Sequence, residues 1–366
     1  MTATIRPTEF VVGPSQSDAA SVAVTMAADV GNARTALLVQ VGESAPTLIR
    51  MPTVRSLDVV FARDLFDRRG LPPAAWDALA PDEHVLTQDG VDRFLGRLAI
   101  EYARSPSSGR GSDARYSDGT TTAFMLAGLA AAAPRARSFV VRCATLLPIA
   151  LWSQHATAVV SSLRAPQRFA YNGRALEARF EQVLPLREGV AAYHGLAQPP
   201  QGRAVIVDGG GRTVNVALFN DGQYVDGATI DHMGVESALD ALDRQLEIDG
   251  VRRLTLAERL ELQAAMRDGQ PYAIAHRQSR VRLDPLARRV FDATAQTLVQ
   301  EIKRLVKIEA AESGAFVGGA AYAPFFGRVV NDALPVLELI AEPEHCNVVG
   351  ALAQLSGQPP KKARRR

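Results

Sequence analysis

The chain has 366 residues, 47% of them hydrophobic and 22% charged, with a formal net charge of +2. That is enough apolar material for a large core and enough length for two domains, and a charge balance so near neutral gives no sign of a nucleic-acid surface. The longest apolar run, Ala123 to Ala133, falls well short of the ~20 residues that cross a bilayer, so no membrane association is expected. With no basic segment leading into an apolar stretch at the start, the expected location is the cytoplasm. Cys143 and Cys346 stand far apart and outside any CxxC spacing, so both are expected to be buried as small apolar residues and not to form a disulfide or a zinc site. The six histidines show no HxxxH or HExxH pairing that would hold a metal.

Residues 1–20 mix Thr, Ser, Pro and Gly without periodicity and are expected to form a flexible tail. The stretch "VAVTMAADVGNARTALLVQV" then reads as a strand, an Asp-x-Gly corner and a second strand, with a tight turn at Val41-Gly42-Glu43 before a third. Helical patterns follow in "GVDRFLGRLAIEYAR" and "TTTAFMLAGLAAAA". Pro199 to Gly202 forms a hinge-like break, after which "RAVIVDGGGRTVNVALFNDG" repeats the opening plan, its Asn220-Asp221-Gly222 favouring a hairpin turn. Helices are expected in "GVESALDALDRQL", in "TLAERLELQAAM", where Thr255 and Glu258 read as a capping box, and from Leu286 to Glu309. The end, "QPPKKARRR" over 358–366, reads as a flexible basic tail, with at most a weak nucleic-acid contact and no other direct one.

Superposing the two openings makes Asp29 equivalent to Asp208 and Gly31 equivalent to Gly210, an internal duplication of a hairpin. Strands followed by helices, twice over, predict an α/β architecture with two similar domains. A dinucleotide fingerprint would need its glycines to lead into a helix, whereas "TVNVALF" alternates at period two and reads as a strand. A glycine-softened turn between strands leaves backbone N–H groups free to converge on an anion. The aspartate at its mouth suits a nucleotide-bound Mg²⁺, which keeps most of its waters and needs one or two carboxylates to hold them. Asp29 and Asp208 are therefore expected to act as metal carboxylates through water; the plain alternative is a pair of ordinary tight hairpins. Gly318-Gly319, in "AFVGGAAYAPFF", forms a third glycine corner, read alone as a strand-to-helix loop and in this chain order as a place where backbone approaches a base or ribose.

These segments, in this order, resemble the actin-like ATPase superfamily, with its first phosphate hairpin, connecting segment, second phosphate hairpin and adenosine Gly-Gly. Within it the chain is most similar to the ParM-type plasmid-segregation actins of bacteria and archaea, on "VVRCATLLPIALW", "FAYNGRALEARFEQVLPLREGVAAYHGL", "AVIVDGGGRTVNVALF", "IDHMGVESALDAL" and "NVVGALAQL". The resemblance spans Val22 to Leu355. It implies an actin-like ATPase fold, with two ribonuclease-H-like domains around a nucleotide cleft. Domain I would cover 21–200 with a return helix at 335–357, and domain II would cover 203–334. It also implies a first phosphate loop of Asp29, Gly31, Asn32, Ala33, Arg34 and Thr35. The second would comprise Asp208, Gly209, Gly210, Gly211, Arg212 and Thr213. Gly318, Gly319, Ala320 and Tyr322 would border the nucleoside. From the residues alone Glu188, in "LREGVAAY", reads as a surface glutamate at a helix start; under the resemblance it matches the acidic residue that orients the attacking water and, with Asp208, would serve catalysis.

The implied cofactors are ATP or GTP with Mg²⁺, and the implied function is a cytoskeletal ATPase that assembles into homopolymer filaments. Its work would be DNA or plasmid segregation through a DNA-bound adaptor, or another cytomotive role. A small-molecule kinase of the same superfamily and a non-polymerising nucleotide-gated adaptor are the other two readings. Two positions depart from the family pattern. Ala36 stands where many members have a lysine, and Asn215 where they often have an aspartate, which implies slower hydrolysis. Phe325 and Phe326 are expected to pack in the core and not to form filament contacts.

Overall fold

The computed structural model describes residues 21–56, 62–72, 75–103, 106–108 and 113–357; the two expected tails lie outside the described residues. The chain forms two compact units. The first holds the described parts of Met1–Leu147 together with Leu151–Arg187 and the start of Val348–Arg366; the second holds Pro148–Ala150 and Glu188–Asn347. Pro199 to Gly202 lies within the second unit.

In the second unit, five strands order as Gln223–Ile230, Val214–Asn220, Arg203–Gly209, Ser313–Val317 and Leu337–Leu339. The first three are antiparallel and the last three run parallel. Val205, Ile206 and Val207 are fully buried, as a strand covered on both faces requires. One face carries helices Val235–Ile248 and Asp284–Leu305 over Val205, Val207 and Phe316. On the other, Ile206, Ala315 and Val317 meet Tyr193, Leu196 and Phe219, with the Tyr193 and Phe219 rings stacked at 4.1 Å.

The first unit repeats the arrangement at one end of a larger sheet. Thr47–Pro52, Arg34–Val41, Val22–Val30, Ser138–Leu147 and Arg174–Arg187 lie in that order, again three antiparallel strands followed by parallel pairing. Beyond them the sheet continues through Gln167–Tyr171, Glu83–Gln88 and Val91–Gly96. The helix Thr120–Ala132 is buried over its first eleven residues and packs with Leu37, Val39 and Val141 in that unit's core.

The expected helix in "GVDRFLGRLAIEYAR" is only half present. Val91–Gly96 is a strand paired with Glu83–Gln88, and the helix covers Arg97–Tyr102. Gly96, at φ 61°, makes the corner between them, a conformation other residues rarely adopt. The capping box is present: Thr255 accepts from the Glu258 N–H, and the Glu258 carboxylate accepts from the Thr255 N–H at 2.8 Å. Phe325 and Phe326 are buried, with ring centroids 5.6 and 6.0 Å from that of Phe291. Cys143 and Cys346 are buried free thiols. No helix among the described residues is long and apolar enough to cross a membrane.

Phe291, on the long helix Asp284–Leu305, is fully buried against Phe325 and Phe326. Phe291→Ala should cost about 3–5 kcal/mol of stability, cavity included, read as a lower urea midpoint with an unchanged slope.

Candidate functional site

The duplication extends to individual hydrogen bonds. In the first hairpin the Gly31 N–H donates to the Arg34 carbonyl at 3.1 Å, and in the second the Gly210 N–H donates to the Thr213 carbonyl at 2.9 Å. Each aspartate faces a residue across the turn-closing strand pair: Asp29 opposite Ala36, Asp208 opposite Asn215. A Cβ on Gly31 would stand 2.8 Å from the Arg34 carbonyl oxygen, which is why this corner needs glycine.

In the first loop, Asn32 and Thr35 are buried while Asp29, Gly31, Ala33 and Arg34 are half-buried. The Thr35 hydroxyl meets that of Thr53 at 2.9 Å, and the Thr53 N–H donates to the Ala33 carbonyl at 3.0 Å. Arg115, which sequence reasoning missed, reaches the same loop. Its guanidinium is buried, donates to Asn32 Oδ1 and to the Tyr116 hydroxyl, and lies over the Tyr116 ring at 4.6 Å. A cation thus stands beside the first loop, which itself is followed by the uncharged Ala36. Just before the helix, the Asp118 carboxylate accepts from the Thr120 N–H at 2.9 Å, but nothing local marks Arg115, whose partner Asn32 is distant in sequence.

In the second loop the carbonyls are already engaged. Those of Gly210, Gly211 and Arg212 accept from the N–H groups of Val235, Glu236, Met233 and Gly234, where the helix Val235–Ile248 begins. Gly234 permits the contact, since a Cβ there would lie 2.4 Å from the Gly211 carbonyl oxygen. Arg212 is half-buried and meets His232 at 3.1 Å; Thr213 is buried.

Asp208, the penultimate residue of its strand, is buried. Burial pushes its carboxyl up to about 6, against the pull of the Asn347 amide and the Gly189 N–H. Asn347 Nδ2 donates to Asp208 Oδ2 at 2.9 Å, and Asn347 Oδ1 accepts from the Gly189 N–H at 3.1 Å. Among the described residues no Lys, Arg or His pairs with Asp208, so its charge is held by neutral donors alone. Glu188 is buried and not on the surface. Asn215 Nδ2 donates to Glu188 Oε2 at 2.7 Å, and Asn215 Oδ1 accepts from the Ile149 N–H at 3.0 Å and the Thr229 hydroxyl at 2.7 Å. An aspartate at 215 could not donate to Glu188, so the departure from the family pattern has a local partner.

The glycine pair closes the same corner. Gly318 adopts φ 84°, and a Cβ on it would stand 2.5 Å from both Asp208 Oδ1 and the Gly209 carbonyl oxygen. Around Gly319 that space is open. Ala320 is buried against Gly209, and Tyr322 is half-buried with its ring edge-on to Phe325 at 6.4 Å. Asp208, Glu188 and Gly318 therefore belong to one cluster in the second unit, and Asp29, Asn32 and Thr35 to another in the first.

A buried carboxylate surrounded by amides and without a cation of its own fits a hydrated dication. No group of three or more His, Cys, Asp or Glu side chains able to cage a metal occurs among the described residues. A magnesium ion here would keep waters and nucleotide oxygens as its ligands, with Asp208 holding the waters.

The strand order repeated in both units, with the Asp-Gly corner on the first strand of each, is that of the actin-like fold. The chain has this fold. The archaeal actin homolog Ta0583 matches over 92% of this chain and 100% of its own, with a TM-score of 0.70 at 16% identity. A ParM from a 15-stranded filament of Clostridium botulinum matches over 91% of this chain and 99% of its own, with a TM-score of 0.71 at 15% identity. Bacillus thuringiensis ParM with ATP matches over 92% and 98%, with a TM-score of 0.63 at 12% identity. No protein-family model matches the chain, and no curated protein sequence does.

The two glycines should separate stability from binding. Gly318→Ala forces a strained φ against Asp208 and should lose about 1–3 kcal/mol of stability. Gly319→Ala has room within the protein and should melt as the wild type does. If the pair borders a nucleoside, Gly319→Ala should nevertheless weaken nucleotide binding, read by calorimetric titration.

Proposed function

We propose that this protein is an actin-like nucleoside triphosphatase that binds Mg-ATP between its two hairpins, hydrolyses it and assembles into filaments in the cytoplasm. The observation that carries this reading is Asp208: a carboxylate buried without a cation, at the end of a glycine-rich hairpin that recurs around Asp29. The nucleotide-bound and filament forms of the structural neighbours support it, since one is a ParM with ATP, one an archaeal actin homolog with ADP and one a filament subunit.

Bound magnesium would neutralise charge on the phosphates. With the carbonyls of Gly210, Gly211 and Arg212 turned to the helix and the Gly210 N–H spent on the Thr213 carbonyl, contact with phosphate falls to the loop N–H groups of Gly209, Gly211, Arg212 and Thr213. In the first loop, where the Gly31 N–H closes the turn on the Arg34 carbonyl, the corresponding contacts come from Asn32, Ala33, Arg34 and Thr35, with Asp29 on the metal's waters. Glu188, fixed by Asn215, accepts a proton from water and aligns it in a reaction governed by positioning and charge neutralisation. Gly318, Gly319, Ala320 and Tyr322 flank the nucleoside. Nucleotide state shifts the population between forms that polymerise and forms that do not. A DNA-bound adaptor and a role in plasmid segregation extend the same proposal.

Glu188→Gln should slow hydrolysis by about 10²-fold with nucleotide still bound, and its filaments should persist longer. Asp208→Ala should abolish magnesium-dependent turnover with the fold intact. Light scattering and negative-stain imaging with Mg-ATP test assembly: particles no larger than a monomer or dimer across a range of salt and crowding would overturn the filament reading.

A further inference from the structure

Asn347 has no part in the reading above, yet it touches both functional carboxylate segments. It is buried in the first turn of the helix Cys346–Ser356. Its Nδ2 holds Asp208, and its Oδ1 holds the backbone next to Glu188. Just before it, the Pro343 carbonyl accepts from the Gly318 N–H at 2.8 Å. Three separate segments of the site therefore converge on one short stretch of chain. That stretch is also a crossing point, since Glu188 begins the long segment of the second unit and Asn347 ends it.

We propose that Asn347 is a positioning residue, a single amide that sets the spacing between Asp208 and the Glu188–Gly189 turn. Resting on the ATPase reading, the argument is one of donors and acceptors. The position needs one donor, for the carboxylate, and one acceptor, for the Gly189 N–H, on one short side chain. Aspartate would supply the acceptor and not the donor. Lysine would supply the donor, but it would also neutralise Asp208 and compete with a dication for it. Leucine would take from the buried Asp208 carboxylate its side-chain donor and from the Gly189 N–H its side-chain acceptor. An amide steadies Asp208 and leaves its charge available to the metal's waters. With Asn215 fixing the Glu188 side chain, the carboxylate that orients water is held at both its backbone and its head.

The test uses the full chain with Asn347→Leu and Asn347→Asp, at a temperature where melting curves show both folded. With Asn347→Leu, Mg-ATP turnover should fall about tenfold or more, while ADP binding without magnesium changes by less than about threefold. In a Glu188→Gln background the same substitution should cost clearly less than in the wild type, because one of the two groups it positions is gone. Amide exchange over residues 188–195 should rise about tenfold with Asn347→Leu and stay near wild type with Asn347→Asp, which keeps the acceptor. Exchange in the helix Val235–Ile248 should not change in either. Turnover within about twofold of wild type, or losses that add in full to that of Glu188→Gln, would overturn the positioning role. Unchanged exchange over 188–195 would overturn the clasp itself. A wild-type protein that hydrolyses no nucleotide would refute the ATPase reading alone, and exchange would then decide the clasp. Should Asn347→Leu fail to fold, Asn347→Asp decides on its own: normal turnover would overturn the proposal, and lost turnover with protected Gly189 would support it.

Discussion

A carboxylate taken out of water has to be surrounded by donors, and Asp208 shows what that demands of a fold. Its place near the end of a strand buried from Ala204 onward requires an amide from Asn347, a backbone turn at Gly189 and a side-chain-free corner at Gly318. These segments come from well-separated parts of the sequence, so the second unit must be formed before the site can exist. Holding a charge with neutral groups costs stability that a cation would return. The arrangement is intelligible if the cation arrives with a ligand.

The same constraint accounts for the two asparagines. Asn215 and Asn347 each present a donor to a carboxylate while accepting from a backbone N–H. Neither adds charge to a cluster that already carries two acids. Asn215, a departure from the expected aspartate, thus belongs to a local pattern in which neutral amides hold the buried carboxylates. In the first unit the balance differs, since a buried guanidinium, Arg115, stands at the loop and binds Asn32.

Much of this was legible in the sequence because it is local. Period-two alternation and the Asp-x-Gly corners disclosed both hairpins, and Thr255 with Glu258 disclosed a helix start. Asp29, Gly31, Asp208, Gly210 and Gly318 were nameable because their residue types answer to backbone geometry within a few positions. Gly96 was misjudged because an apolar run ending in glycine reads the same in a strand that turns a corner as in a helix. Asn347 was invisible, since its partner Asp208 is 139 positions away and asparagine carries no periodic signal. Arg115 was passed over for the same reason. Tertiary partners, and not propensity, give these residues their roles.

The account stands on both hairpins serving a single metal-bound nucleotide. A crystal structure with magnesium and a non-hydrolysable ATP analogue tests this most directly. It should show one metal, with Asp29 and Asp208 both bonded to its waters and the base beside Gly319. A nucleotide bound away from either aspartate, or two aspartates that share no ligand, would contradict it.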